Sequence, residues 1–287
     1  MFFERLHVPY PVTYEVVPPR GCGINHLQPV IDIQDKLSGI TITDNPMATM
    51  RISPIVFGSY IREEFNIPII PNLSCRDRNL LALQSELLGA HMLGFRDVFI
   101  ITGDRPAKKA NFKGVWEVQS KNLCTVVKSL NEGNANDKGV RRKLETPTDF
   151  NVGGAIVLGR PNEQETFKSK VECGFDFFIT QITFDSSQVI DFIDKIQGVG
   201  HPPIQVGLAP ISSAKRFKRI AKMPGLDVPE KTFNKLMNAD DFEEAILCHL
   251  LEQADQIKSA LDYPLGFHIM PIGSEELGGR LVKELKK

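Results

Sequence analysis

The chain has 287 residues, with 34 Lys and Arg against 35 Asp and Glu and a formal net charge of −1. This near-neutral balance argues against nucleic acid or an anionic membrane surface as the main partner. No apolar run reaches the roughly 18 residues that a transmembrane helix needs, and the first residues lack the parts of a signal peptide. We therefore expect a cytoplasmic protein that binds neither membranes nor nucleic acid.

The cysteines are odd in number and include no CxxC pair: Cys22, Cys75, Cys124, Cys173 and Cys248. Neither they nor the six histidines form a cluster with zinc-ligand spacing. This usage is typical of free thiols in a reducing compartment, and we expect no metal site.

Eight short apolar or β-branched runs predict strands in chain order. They span residues 13–17, 39–44, 67–74, 98–104, 151–156, 177–184, 204–210 and 267–271. Their hydrophobicity is nearly continuous rather than alternating, which indicates parallel strands covered on both faces.

Helical patterns lie between most of these strands. The predicted helices span 78–93, 122–130, 164–173, 187–196, 213–222 and 275–285, and 228–261 predicts two further helices before the last strand. The first of them carries Leu80, Leu81, Leu83, Leu87, Leu88 and Met92 and ends at Gly94. Residues 131–148 read as a long polar loop, which we expect to be exposed and mobile.

Eight β/α units in a chain of this length favour a (β/α)₈ TIM barrel, an α/β fold, formed as a single domain over 1–287. The extra helices come before its last strand. A doubly wound sheet is the rival, but the turn after the first strand, 18–23 (PPRGCG), does not match the GxGxxG fingerprint.

Catalytic groups in such barrels lie at the carboxyl ends of the strands, where three polar residues are notable. Glu15 interrupts an apolar strand, and a buried carboxyl of this kind has a raised pKa suited to acid catalysis; a core ion pair is the structural alternative. Asp104 follows a strand and a glycine, so we expect its side chain to point into the barrel mouth; an aspartate that stabilises a turn or caps a helix is the structural alternative. Gln181 lies among apolar neighbours and needs hydrogen-bond partners, from a substrate or from the core.

Two other groups have simpler interpretations. Arg76, Asp77 and Arg78 stand at a strand-to-helix junction, where two guanidinium groups can bind phosphate; a solvated charge cluster is the favoured interpretation. Trp116, the lone tryptophan, can cover a planar ligand, although ordinary packing is favoured.

Several segments together resemble the methylenetetrahydrofolate reductase family in its short prokaryotic form. They are 14–21 (YEVVPPRG), 43–46 (TDNP), 73–89, 101–106 (ITGDRP), 179–181 (ITQ) with 184–185, and 223–229. The resemblance runs colinearly over nearly the whole chain. It implies a barrel that binds FAD and reduces the methylene group on a reduced pterin to methyl.

The resemblance also implies roles for single residues. Glu15 would protonate the pterin-side amine and open the five-membered ring to an iminium cation. Asp104 would stabilise the cation and orient the pterin, and Gln181 would bind the pterin edge. The implied flavin contacts are Thr43, Asn72, Thr102, Gly103, Asp104, Ala155, Arg160 and Lys170.

Two departures from the family bear on specificity. Asn72 stands where the family usually has a flavin-contacting histidine. The loop after the last strand, 272–274 (IGS), lacks an arginine suited to the glutamate tail of folate, so a tetrahydromethanopterin carrier is the alternative to tetrahydrofolate. The electron donor is either NAD(P)H or a donor protein, and relatives suggest a homo-oligomer.

Three competing functions remain. A chain that binds no flavin would transfer hydride directly from a nicotinamide on the same barrel. A non-catalytic subunit would dock an electron-transfer or methyl-transfer partner, but such a subunit has no physical need for Glu15, Asp104 and Gln181 together. A zinc thiol-methyltransferase barrel is disfavoured because a cysteine cluster is lacking.

Overall fold

The computed structural model describes residues 2–21, 27–136, 141–223 and 225–287. The strands are β1 (Val12–Val16), β2 (Gly39–Ile42), β3 (Ile69–Ser74), β4 (Asp97–Ile101), β5 (Asn134–Asn136), β6 (Arg141–Lys143), β7 (Asn151–Ile156), β8 (Phe177–Ile182), β9 (Ile204–Leu208) and β10 (Leu265–Ile269). All except β5 and β6 pair in parallel, in chain order, and β10 closes on β1. The eight predicted strands and the predicted TIM barrel are therefore confirmed, with strand ends that differ by a few residues.

Helices cover the outside of this barrel. They are α1 (Phe2–Arg5), α2 (Gln28–Ile31), α3 (Pro54–Ile61), α4 (Leu80–Met92), α5 (Ser120–Asn131), α6 (Glu163–Glu172), α7 (Ser186–Lys195), α8 (Ala214–Ile220), α9 (Glu230–Met237), α10 (Phe242–Ala260) and α11 (Glu275–Leu285). The two extra helices before the last strand are confirmed as α9 and α10. In the described part of the chain, no helix combines the length and the apolar character needed to cross a membrane.

Two expectations about local structure were incomplete or wrong. The sequence analysis missed α3, whose sequence PIVFGSYI is apolar throughout and so has no amphipathic period. The segment 131–148 is not only a loop, because β5 and β6 form an antiparallel pair in which Asn134 stands opposite Lys143. Cys22 lies outside the described residues; the other four cysteines are free.

The amino end of the barrel is closed by α1. The Phe2 ring packs edge-on against Phe177, with ring centroids 5.2 Å apart, in space that Gly39 leaves open. The buried Asp97 carboxylate accepts hydrogen bonds from the backbone amides of Phe2 at 3.0 Å and Phe3 at 3.1 Å, and from Asn151 Nδ2 at 3.0 Å. This end of the barrel is therefore filled, and the Asp97 carboxylate is paired within it.

The barrel interior differs from the layer between strands and helices. That outer layer is the main hydrophobic core, whereas a small separate cluster fills the inside: Phe2, Leu6, Ile70, Phe99, Phe177 and Ile179. Polar side chains take over from these apolar ones toward the carboxyl ends of the strands. The site described next lies there.

Candidate active site

A cavity of about 870 Å³ opens at the carboxyl ends of the barrel strands. Nine of the ten predicted site residues line it: Glu15, Asn72, Thr102, Gly103, Asp104, Ala155, Arg160, Lys170 and Gln181. Thr43, the tenth, is buried beside the cavity but is not among its lining residues. Residues far apart in the sequence thus meet in one space large enough for more than one organic ring system.

Glu15 points inward from β1, where its neighbour on β2 is Thr41. Burial, and secondarily the negative charge of Glu275, raises the pKa of Glu15 to about 7. Within the described ranges, no group donates a hydrogen bond to this carboxyl, so the core ion pair considered from sequence is not formed there. A carboxyl in this state is protonated in a large fraction of molecules near neutral pH.

His268 is a lining residue that the sequence analysis missed. Its Nδ1 lies 2.7 Å from Thr13 Oγ1, and its Nε2 lies 3.3 Å from Thr41 Oγ1. The Thr13 hydroxyl also lies 3.4 Å from the carbonyl of Phe267. Burial lowers the pKa of His268 to about 3. The ring is therefore neutral where it lines the cavity.

Two buried oxygens near the cavity have no partner among the described groups: Asn72 Oδ1 and Thr43 Oγ1. An unpaired buried acceptor costs about 1–3 kcal/mol, which a bound ligand can recover. The Gln181 amide also reaches the cavity, and Gly225 leaves room beside it, because a Cβ there would stand 3.3 Å from Gln181 Oε1.

Asp104 lies at the exposed rim of the cavity. Its Oδ2 accepts a hydrogen bond from the backbone amide of Met47 at 2.9 Å. Met47 and its neighbours Asn45 and Ala48 all have positive φ angles of 45–53°, a conformation that non-glycine residues rarely adopt. The carboxylate thus fixes a strained loop at the mouth of the barrel.

The favoured interpretation of the charged segment as a solvated cluster was wrong for Arg76. Its side chain is buried and pairs through two nitrogens with Asp77 at 2.6 Å each. It also donates to the carbonyls of Asn45 at 3.0 Å and Asp104 at 3.3 Å. These bonds use four of the five guanidinium N–H groups, so the buried Arg76 supports the loops of the rim.

Basic side chains line the edge of the cavity formed by α5, α6 and the loop after β7. The buried Lys170 ammonium donates to the carbonyl of Ala155, and burial lowers its pKa. Lys121 donates to Ser169 Oγ at 3.0 Å, and Arg160 lies 3.3 Å from Glu163. Three cations against one carboxylate make this edge a favourable place for an anionic group.

A cation also lies against the loop after β10, although the sequence of that loop contains none. Arg216 of α8 reaches across it, and a Cβ placed on Gly273 would stand 1.2 Å from Arg216 Nη1. The same guanidinium donates to Ser212 Oγ at 3.3 Å. The loop itself has no basic residue, as its sequence shows, and the cation beside it comes from a different element.

The sequence profile of the methylenetetrahydrofolate reductase family matches residues 9–286. Methylenetetrahydrofolate reductase 1 of Schizosaccharomyces pombe is 23% identical over 240 residues, which cover 82% of this chain and 38% of that protein. The 5,10-methylenetetrahydrofolate reductase of Escherichia coli is 24% identical over 239 residues, 81% of this chain and 75% of that protein. The chain thus spans well under half of the yeast relative and most of the bacterial one.

Two solved structures share the fold. An uncharacterized protein from Clostridium thermocellum, which binds two copies of 5-methyl-5,6,7,8-tetrahydrofolic acid, aligns with a TM-score of 0.71 at 16% identity, covering 100% of this chain and 99% of that one. EDTA monooxygenase from Chelativorans sp. BNC1 aligns with a TM-score of 0.58 at 12% identity, covering 96% and 93%. At these identities the likeness concerns the barrel architecture.

Proposed function

Because this chain belongs to the methylenetetrahydrofolate reductase family, we propose that it reduces the methylene group of methylenetetrahydrofolate to methyl, using FAD. The observation that carries this proposal is Glu15: a carboxyl with a pKa of about 7 and no hydrogen-bond partner among the described residues, on the wall of a cavity of about 870 Å³. A cavity of that volume lies at the upper end of the range for small-molecule sites.

The residues of the cavity fit a flavin dinucleotide. Asn72 Oδ1 is a buried acceptor without a described partner, as the N–H edge of an isoalloxazine ring requires. Lys170, Lys121 and Arg160 line another part of the cavity wall and supply positive charge for a diphosphate there. Bound FAD in its reduced form would supply hydride.

Glu15 would supply the proton. Protonation of the ring nitrogen of the substrate breaks its bond to the methylene carbon, which leaves an iminium cation on the other nitrogen. The neutral His268 ring adds no positive charge that would lower the pKa of Glu15, so a large fraction of the molecules carry the proton near neutral pH. After the transfer, the Glu15 carboxylate lies near the cation and stabilises it.

Asp104 and Gln181 would bind the pterin. One carboxylate oxygen of Asp104 is held by the Met47 amide at 2.9 Å, and the other faces no described donor, so a pterin N–H can bind there. The amide of Gln181 offers both a donor and an acceptor to the pterin edge. These roles are proposals that rest on the lining of the cavity.

The carrier is proposed to be folate because Arg216 lies against the loop after β10. This guanidinium can pair with the carboxylates of a glutamate tail. We expect Arg216→Ala to raise KM for methylenetetrahydrofolate by about tenfold, the effect of losing one exposed charge-assisted contact, and to leave KM unchanged for a pteroate analogue without glutamate. Lys215→Ala, an exposed neighbour, is the control; an unchanged KM for methylenetetrahydrofolate in Arg216→Ala, or an equal rise in KM for both substrates, would remove Arg216 from this role.

The deciding experiment is an anaerobic half-reaction. Purified protein loaded with FAD is reduced with NAD(P)H, or with dithionite if the donor is a protein, and is mixed with methylenetetrahydrofolate or methylenetetrahydromethanopterin. We expect a flavin absorbance spectrum and rapid reoxidation by the folate. Reoxidation only by the methanopterin would select the alternative carrier. Failure to bind flavin, or bound flavin that neither substrate reoxidises, would overturn the proposal in favour of direct nicotinamide transfer or a docking subunit.

A further inference from the structure

Three large apolar side chains lie in solvent at the open end of the barrel. Met47 and Met50 are 74% and 75% exposed, and Phe112 is 43% exposed. They belong to the loops after β2 and β4, the strands beside which the proposed flavin contacts Thr43 and Thr102 lie. Several large apolar side chains in solvent in one region indicate a surface that another molecule covers.

The two loops are bound to each other, so these side chains share one part of the rim. The Asp104 carboxylate accepts a hydrogen bond from the Met47 amide at 2.9 Å. The Arg76 side chain donates to the carbonyls of Asn45 at 3.0 Å and Asp104 at 3.3 Å. The amide of Val115 in turn donates to the carbonyl of Arg76 at 2.7 Å. The loop after β2 is thus fixed to both ends of the loop after β4.

The conformation of Met47 does not serve the core. Its φ angle is +53°, which costs of the order of 1–3 kcal/mol in a residue other than glycine, and its side chain remains in solvent. Strain of this kind is found at sites that bind a ligand or a partner. Methionine is common on protein-binding surfaces because its side chain is flexible and polarizable.

The loop after β4 adds positive charge beside the apolar side chains. Between residues 104 and 117 four cations stand against the carboxylates of Asp104 and Glu117. The cations are all exposed and form no ion pair within the described part of the chain: Arg105, Lys108, Lys109 and Lys113. None of the three lysines lines the cavity. Their charge is therefore directed at something outside the cavity.

We propose that this surface docks a small electron-transfer protein with an acidic face, which delivers electrons to the flavin. The surface, here called the rim patch, is defined by Met47, Met50, Lys108, Lys109, Phe112 and Lys113. The patch adjoins the cavity, because Asp104, which holds Met47, is one of the lining residues of the cavity. The proposal rests on the proposed function, since it names the electron donor of that flavin.

The redox step balances with a one-electron carrier. Two reduced carriers dock in succession and give one electron each. Together with two protons from solvent, these electrons convert one FAD to its reduced form, and both carriers leave oxidised.

The composition of the rim patch favours a protein over other anionic partners. A nicotinamide nucleotide enters the cavity and would leave outward-facing lysines and methionines uncovered. A nucleic acid would use the cations but gains little from exposed methionines. Apolar contacts surrounded by like charges suit a transient redox encounter, which buries less than about 1,200 Å² and is guided by complementary charge.

The first test measures binding and does not depend on catalysis. The full chain is titrated calorimetrically with a ferredoxin, a small acidic iron–sulfur protein. We expect binding at low salt that weakens as ionic strength rises to about 0.15 M, because screening reduces the attraction. The double variant Lys108→Glu with Lys109→Glu should weaken binding by about tenfold or more. Met50→Ser should weaken it by about threefold, through the loss of one apolar contact.

A matched double variant controls for net charge. Lys195→Glu with Lys283→Glu makes the same charge change at exposed positions in the last turns of α7 and α11, toward the closed end of the barrel. This variant should bind ferredoxin as the wild type does. Cytochrome c, a basic redox protein, should not bind the wild type. Absence of ferredoxin binding, equal weakening in both double variants, or tighter binding of a single-stranded oligonucleotide would overturn the proposal.

The second test measures electron delivery in the chain loaded with FAD. Reduced ferredoxin should bleach the flavin absorbance, with a rate at low salt that falls by about tenfold or more in Lys108→Glu with Lys109→Glu and stays unchanged in the control variant. Bound ferredoxin that does not reduce the flavin would overturn the docking proposal alone. Flavin that is reduced by ferredoxin but is reoxidised by neither pterin would overturn the proposed function and leave the docking surface standing.

Discussion

Two carboxyl groups whose pKa values are raised stand at opposite ends of the barrel and differ in their hydrogen bonding. Asp97, at the closed amino end, accepts three hydrogen bonds at 3.0–3.1 Å. Glu15, at the open carboxyl end, accepts none from the described residues. Burial raises the pKa of both groups, so the pKa direction alone does not separate them; their hydrogen bonds do.

This difference in hydrogen bonding indicates that Asp97 has a structural role and that Glu15 is available for chemistry. The donors around Asp97 favour its charged form and offset part of its burial cost. The environment of Glu15 offers no such compensation, so its protonated form persists up to about pH 7. Asp97 is thus paired at the end of the barrel that α1 closes, whereas Glu15 has no hydrogen-bond donor among the described residues at the end where the cavity opens.

The largest expected effect comes from Glu15→Gln. Since an amide cannot donate the proton, we expect turnover of methylenetetrahydrofolate to fall by about 10²- to 10⁴-fold. Flavin reduction by the electron donor should change little, because that half-reaction needs no proton from Glu15. Stopped-flow measurement of each half-reaction separates the two, and an equal loss in both would contradict the acid role.

The second expected effect is on the pH dependence of stability. The pKa of Glu15 is about 7 in the folded chain against 4.5 for the free group. The contribution of this carboxyl to stability is therefore complete below about pH 4.5 and is lost as pH rises to about 7, by about 3 kcal/mol. Glu15→Gln lacks this loss, so its stability relative to wild type should rise over the same range.

Chemical denaturation of both proteins, in the same flavin state and across that pH range, measures this difference. The two stability curves should diverge as pH rises, with the variant becoming the more stable. Parallel curves would show that Glu15 ionises in the folded chain as readily as in the unfolded one.

The third effect concerns the other carboxyl. Asp97→Asn replaces one acceptor oxygen by an NH₂ group that faces donors, so we expect a loss of about 2–3 kcal/mol in the free energy of unfolding. Asp149→Asn is the matched control, since Asp149 is an exposed partner of Arg96 and His91 and such pairs contribute less than about 1 kcal/mol. Turnover per folded molecule of Asp97→Asn should stay at the wild-type level. A loss of turnover without a loss of stability would contradict the assignment of a purely structural role to Asp97.

Sequence patterns predicted what depends on neighbours along the chain. The strands could be predicted because apolar runs alternate with helical periods, and Glu15 because a carboxylate inside such a run is costly. His268 was missed because its inward orientation shows only once Thr13 and Thr41 are placed beside it. Arg76 was misjudged because its partners include carbonyls from two different loops.

Long-range placement also explains the remaining differences. Arg216 reaches the loop after β10 from α8, and the sequence of that loop does not predict this contact. The apolar residues of α4 indicate a helix but do not state which of them face the barrel. In both cases the local chemistry is present in the sequence, and the element that it meets is known only from the fold.

The smallest expected effect sharpens the account of why Glu15 holds its proton. Burial is the main cause of its raised pKa, and the charge of Glu275 is the second. Glu275→Gln keeps an oxygen for the Tyr14 hydroxyl, which donates to Glu275 at 2.8 Å, while it removes the charge. Because a nearby negative charge opposes ionisation, its removal should lower the pKa of Glu15 by less than about one unit.

Since the acid must be protonated to act, that change moves the basic limb of the kcat/KM profile to lower pH. Glu276→Gln changes an exposed neighbour of the same charge and should leave the limb in place. A limb that stays fixed in Glu275→Gln would mean that burial alone sets the acidity of Glu15, and a limb that moves to higher pH would mean that the titrating group is a different one.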